Sequence, residues 1–250
     1  DPTSSTTAYK RISEKSGYLG TAPQANCVLS AYGRLWAADT STNKNTVYWT
    51  DTLTNHVWST GTAGSLDLLG VWPSGGDQIV ALSAHNNQLI IFGKRQILIY
   101  SGANDPTTMA LTDHVDNLGC VNRDTVQPTG DDILFLSNTG VRSLMRTIQE
   151  KSAPMRVISR NVNDQLQQYV DASDQTSITS GYSPSDAFYL LTFNDNGFTY
   201  CFDMKAPMQD GSNRVTTWTN ITPTAYVYSQ DRVLYMGQVG YVGVYSGYRD

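Results

Sequence analysis

Apolar residues along this chain come in short dense runs fenced by polar turns, and the same arrangement returns five times. The units open at Cys27, Ile79, Thr125, Ser177 and Thr224, so their starts lie 46 to 52 residues apart. Each begins with a short strand and passes a polar turn: Tyr32-Gly33, Asn86-Asn87, Gly130-Asp131-Asp132, Pro184-Ser185-Asp186 or Gln230-Asp231. A strongly apolar strand comes next, over residues 35–38, 89–92, 133–136, 188–193 or 233–236. A second turn leads into a closing strand over 47–49, 97–100, 141–144, 198–202 or 241–245. That turn carries Gly93, Gly140, Gly197 or Gly240 in four units and is a longer loop, 39–45, in the first. Glycine suits a tight hairpin turn because it accepts positive φ at little cost. Continuous apolar runs such as Leu89-Ile90-Ile91-Phe92 predict strands buried on both faces.

Between units, residues 54–59, 107–112 and 214–219 could supply an outer fourth strand. Three or four antiparallel strands per unit of about fifty residues is the arithmetic of a propeller. The expectation is therefore an all-β fold: one β-propeller domain over 1–250, with five blades, or six if a missing terminus completes another. Both chain ends read as cut, which suggests a fragment of a longer polypeptide or a processed product. The alternative arrangement is an irregular β-sandwich. One stretch breaks the pattern. Over 154–171, Ile158, Val162, Leu166 and Tyr169 fall at helical spacing, with Ser159 or Asn161 placed to cap, so an inserted amphipathic helix is expected. It would pack on the flank of the domain or dock a neighbouring subunit.

Composition narrows the function. Charged residues make up 16% of the chain and the net charge is -5, with no basic run, so there is no footprint for non-specific nucleic-acid binding or an anionic membrane surface. No apolar stretch approaches the ~20 residues of a membrane span. Cys27, Cys120 and Cys201 are widely spaced and odd in number, and read as buried free thiols rather than a disulfide framework. His56, His85 and His114 lie far apart with no partner at metal-ligand spacing. Asn194-Asp195-Asn196-Gly197 lacks the rest of a calcium loop and reads as a hairpin turn. No Gly-x-Ser-x-Gly elbow or phosphate-binding loop occurs. The chain therefore carries no assignable catalytic, cofactor or metal residue and is expected not to be an enzyme. A glycosidase would need converging carboxylates. Asp39, Asp51, Asp131 and Asp132 are the candidates near inner strands, and the two glutamates, Glu14 and Glu150, lie outside the repeats. A lectin-like carbohydrate-binding module would instead use Trp49, Trp58, Trp72 or Trp218 against sugar rings. The plainer reading packs these residues between blades.

Several features resemble the propeller region of tail nozzle proteins of short-tailed bacteriophages, also called tail tubular protein B, and the similar packaged-DNA stabilisation proteins. They are Gly33-Arg34-Leu35-Trp36, Tyr48-Trp49, Phe92-Gly93 followed by Tyr100, Gly119-Cys120, and Gly130-Asp131-Asp132 with Gly140-Val141-Arg142-Ser143-Leu144. The likeness covers residues 27–170, and the rest follows the repeat alone. It implies a homo-oligomeric ring of six copies in the virion tail, below the portal and adaptor. Such a ring encloses packaged DNA without reading its sequence and retains or delivers it. Family members are usually longer. A neutral or acidic wall suits such a conduit, because it does not hold phosphates.

Overall fold

The computed structural model describes residues 22–149 and 157–245. Five antiparallel sheets follow one another along the chain. The first holds β1 (Ala25–Ala31), β2 (Arg34–Thr40), β3 (Thr46–Trp49) and β4 (Gly64–Asp67). The second holds β5 (Ile79–His85), β6 (Gln88–Gly93), β7 (Ile97–Ser101) and β8 (Ala110–Val115). The third holds β9 (Gln127–Pro128), β10 (Ile133–Ser137) and β11 (Gly140–Ser143). The fourth holds β12 (Ile178–Ser183), β13 (Phe188–Phe193), β14 (Phe198–Asp203) and β15 (Arg214–Thr219). The fifth holds β16 (Ala225–Tyr228), β17 (Leu234–Gln238) and β18 (Tyr241–Val244).

The unbroken apolar runs are explained by which way alternate residues point. In a strand, successive side chains face opposite sides. Along β6, Leu89 and Ile91 enter a core shared with the first sheet, whereas Ile90 and Phe92 enter one shared with the third. Along β10, Ile133 and Phe135 face the second sheet and Leu134 and Leu136 the fourth. In β13, Tyr189, Leu191 and Phe193 face the third sheet, and Leu190 faces the fifth. Each middle sheet thus feeds two cores, and polar residues on either face would leave one of them unfilled.

The short turns hold as read. Tyr32-Gly33 and Asn86-Asn87 have positive φ at both positions, the geometry that closes two-residue hairpins. Gly140, Gly197 and Gly240 also sit at positive φ. Gly93 does not. It ends β6 in an ordinary conformation, and its lack of a side chain serves packing, because a Cβ there would strike the Asp77 carboxylate. That carboxylate accepts from the Lys94 and Arg95 amides and so organises the β6–β7 turn.

Other boundaries move. The outer strand of the first sheet is β4, not residues 54–59. The Asp51 carboxylate gathers the Thr52 and Thr62 amides and the Thr62 hydroxyl, which closes 52–62 into a loop and delays the strand. The outer strand of the second sheet begins at Ala110, three residues later than 107–112, because Asp105 holds Thr107 in a turn through its amide and hydroxyl. The outer strand at Arg214–Thr219 lies where expected.

The closing strand of the third unit stops at Ser143, and Leu144–Gln149 forms an unforeseen helix, α1. Asp132 starts it, accepting from the Met145 amide at 3.0 Å and, in a short bond, from the Ser143 hydroxyl. The inserted helix is shorter than 154–171. Residues 154–156 lie outside the described residues, a 3-10 turn spans Arg160–Val162, and α2 runs Asn163–Ala172. Ile158 is not on that helix. Its amide donates to the Val141 carbonyl and its carbonyl accepts from the Asn213 amide, both at 3.0 Å. Residue 158 thereby stands beside β11 where other sheets carry a fourth strand. Ser159 does not cap the helix; its hydroxyl takes the Val141 amide at 3.0 Å. The helix packs on the flank through buried Leu166 and Val170, with the Tyr169 ring 4.7 Å from that of Phe198.

The three cysteines are buried free thiols, as read. Burial pushes the Cys27 thiol up to about 11 and those of Cys120 and Cys201 up to about 12. In the folded protein at pH 8 all three are expected to resist a thiol-specific disulfide reagent, and to react at once in denaturant. Rapid labelling of the native protein would contradict the packing. A second expectation concerns the turns. Gly197 has open space around a missing Cβ, so Gly197→Ala costs about 1 kcal/mol for the left-handed backbone alone. Gly140 has φ +117° and is walled by Val157, Ser159 and Asn163, so Gly140→Ala costs roughly 3 kcal/mol or more. Denaturant melts of the pair should separate accordingly.

Candidate functional site

The inner strands β1, β5, β9, β12 and β16 open on a common axial space. At the end where these strands begin, Asn26, Gln78 and Gln175 from three sheets rim a cavity of 550 Å³. The dipeptide Arg123-Asp124, in the 3-10 turn Arg123–Thr125 before β9, borders this cavity and the axial clefts on either side of it. The Arg123 Nε lies 3.5 Å from the Asp124 carboxylate. Asn122 anchors the turn, its buried side-chain amide donating to the Ile178 carbonyl at 2.8 Å. The sequence reading passed over this pair. Its signal was a two-charge step just after buried Cys120, in a charge-poor chain.

Three of the four aspartates considered for glycoside cleavage have separate structural tasks, and the fourth is exposed. Asp39 sits at the cavity rim, bound to Lys44 Nζ at 2.6 Å and to the Asn26 amide at 3.0 Å. Asp51 organises the 52–62 loop, and its hydrogen bonds, the Thr62 hydroxyl first, pull its pKa down to about 2. Asp132 starts α1, and Asp131 is exposed beside it in the turn before β10. Asp39 and Asp51 stand on the first sheet and the other two on the third. Asp39, Asp51 and Asp132 bond to different partners, and of the four only Asp39 lines the axial cavity.

Trp49 and Trp72 are buried, and each indole nitrogen is engaged, by the Thr62 carbonyl and the Asn45 side chain respectively. Trp218 is half-buried, stacked on Tyr245 at 5.5 Å and 11°. Trp58 is half-buried in the 52–62 loop. His56 and His85 contact neighbouring asparagines, and His114 lies 3.4 Å from Asp116. Among the described residues no group of three or more His, Cys, Asp or Glu gathers to hold a metal, and no helix is long and apolar enough to cross a membrane.

The most unusual surface is the far face of the fifth sheet. Cross-strand pairing puts Val227, Tyr235 and Val244 in one row, and Ala225, Gly237 and Val242 in the next. The opposite face, with Leu234 and Tyr226, packs on the fourth sheet. Among the described residues the far face meets nothing comparable: Val227 is 60% exposed, Val242 68% and Val244 49%. Among the described residues four apolar cores join consecutive sheets, and none joins the fifth sheet to the first. On the first sheet, Val28 is likewise 63% exposed.

No family model and no curated protein matches the chain. Among solved structures, a protein from Lactobacillus plantarum superposes with a TM-score of 0.50 at 12% identity, over 92% of this chain and 72% of that one. The CNH domain of AfRom2 gives 0.49 at 11% identity, over 91% and 68%. Hsv2 from Kluyveromyces lactis gives 0.45 at 9% identity over 78% of this chain, which spans 61% of the Hsv2 chain. With the five sheets in succession, the fold is a β-propeller. At these identities the likeness defines the fold alone.

The Asp51 loop generates a pH expectation. A carboxylate whose folded pKa lies below its unfolded one stabilises its loop above the ordinary carboxylate range, and that support is lost as pH falls through the folded value. The Thr62 amide resonance should therefore hold through pH 4 and shift near pH 2. A midpoint at the unperturbed position would show that the Thr62 bonds do not form in solution.

Proposed function

We propose that this chain is a structural component of the tail of a short-tailed bacteriophage, a nozzle-type propeller that assembles into a ring with portal, adaptor and other tail proteins in the virion. One observation supports assembly above all: the far face of the fifth sheet carries Val227, Val242 and Val244 open to solvent, with half-buried Tyr235 between Val227 and Val244. An exposed apolar sheet face of this kind marks a contact surface. The resemblance of residues 27–170 to nozzle proteins supplies the identity of the assembly. The structural tasks found for Asp39, Asp51 and Asp132 fit a scaffold rather than a hydrolase. DNA in this reading runs through the ring of copies and not through the axial space of one copy, which Arg123 and Asp124 border.

Mass photometry and electron microscopy of the full chain test the reading, together with imaging of virions that carry a labelled copy. Rings of six, or labelled tails, are expected. Val242→Asp and Val227→Asp should abolish assembly while leaving the melting temperature of the single copy within a degree or two, because both side chains are already solvated. A chain that stays monomeric, is absent from virions and binds a glycan saturably would replace this reading with the lectin-like one.

A further inference from the structure

The axial cavity has a chemistry that assembly does not require. The chain carries 17 basic residues against 22 acidic ones, yet three of its cations, Lys44, Lys94 and Arg123, line this one 550 Å³ space beside only two carboxylates. Those two are engaged unequally. Asp39 neutralises Lys44 at 2.6 Å. Asp124 meets Arg123 only at Nε and only at 3.5 Å, so the terminal nitrogens of the guanidinium have no protein partner among the described residues. Lys94 donates its backbone amide to Asp77, and its ammonium meets no acceptor among the described residues. The side-chain amides of Gln78 and Gln175, on the same rim, also meet no partner among the described residues. Two cations with free donors, flanked by two free amides, therefore border one cavity of small-molecule size.

We propose that this end of the axis is a binding site for a small oxyanion, the phosphate or carboxylate group of a low-molecular-weight ligand. Arg123 offers paired terminal N–H donors in the planar fork that matches two oxygens of such a group. Lys94 supplies a second, mobile positive charge from the neighbouring sheet. Gln78 and Gln175 reach the ligand's remaining oxygens. Asp39 and Asp124 set the selectivity: they repel a highly charged polyanion and leave room for one anionic group. Asn122, buried and bonded to the Ile178 carbonyl, fixes the turn that presents Arg123 and acts as a positioning residue.

The test is a titration of the full chain followed by amide chemical shifts, with inorganic phosphate, with acetate, and with sodium chloride at matched ionic strength. Saturable shifts at Arg123, Asp124 and Lys94 are expected with phosphate or acetate and not with chloride, and the tighter of the two identifies the preferred group. Arg123→Gln and Lys94→Gln, both at exposed positions, should each weaken binding about tenfold, the loss of one charge-assisted contact, with unchanged melting temperature. Shifts that never saturate, that chloride reproduces, or that survive both substitutions would overturn the site. None of these outcomes bears on ring assembly, which is read from particle mass.

Discussion

Everything in this molecule depends on apolar contact between consecutive sheets. A strand such as β6, with Leu89, Ile90, Ile91 and Phe92 all fully buried, cannot be satisfied by one neighbour. Burying an aliphatic or aromatic side chain is worth about 1.5–3 kcal/mol only if the far side is also covered. This constraint arranges the sheets in series and fixes where each hairpin turns. The charge at the axis is carried by the Arg123-Asp124 turn rather than by the core-facing strands, so it comes at little cost to the cores.

Side-chain carboxylates do the finer carpentry. Asp51, Asp77, Asp105 and Asp132 each gather backbone amides at a point where the chain leaves a strand. Their work explains why an acidic composition coexists with so few ion pairs among the described residues. In such a protein an aspartate near a strand end is a poor guide to catalysis, because a loop can demand the same residue in the same place.

The legible and illegible parts of the fold divide along physical lines. The middle strands and two-residue turns were readable because burial on both faces leaves an unbroken apolar run, and because Asn86-Asn87 and Tyr32-Gly33 sit between such runs. Two of the outer strands were not, since β4 and β8 are half-exposed and their starts are set by Asp51 and Asp105 bonds that no periodicity reports, whereas β15 lies where expected. The helix was half readable. Leu166 and Tyr169 show its spacing and lie on α2, but Ile158 shares that spacing by coincidence while serving β11. The axial pair Arg123-Asp124 was illegible because its meaning comes from strands that approach it only in three dimensions. Gly93 and Gly140 look alike in sequence, yet one answers to a carboxylate and the other to its own backbone angle.

The replacement of a fourth strand by residue 158 has its own consequence. The third sheet is finished by chain that goes on to bond Asn213 of the fourth unit, so two neighbouring modules are stitched by main-chain bonds as well as by side chains. Single main-chain bonds cross the first two junctions as well, from the Ile79 amide to the Lys44 carbonyl and from the Cys120 amide to the Gly93 carbonyl. A chain wired in this way cannot shed one of these modules by separating side chains alone: parting them also breaks backbone hydrogen bonds, which ties the opening of one unit to that of the next.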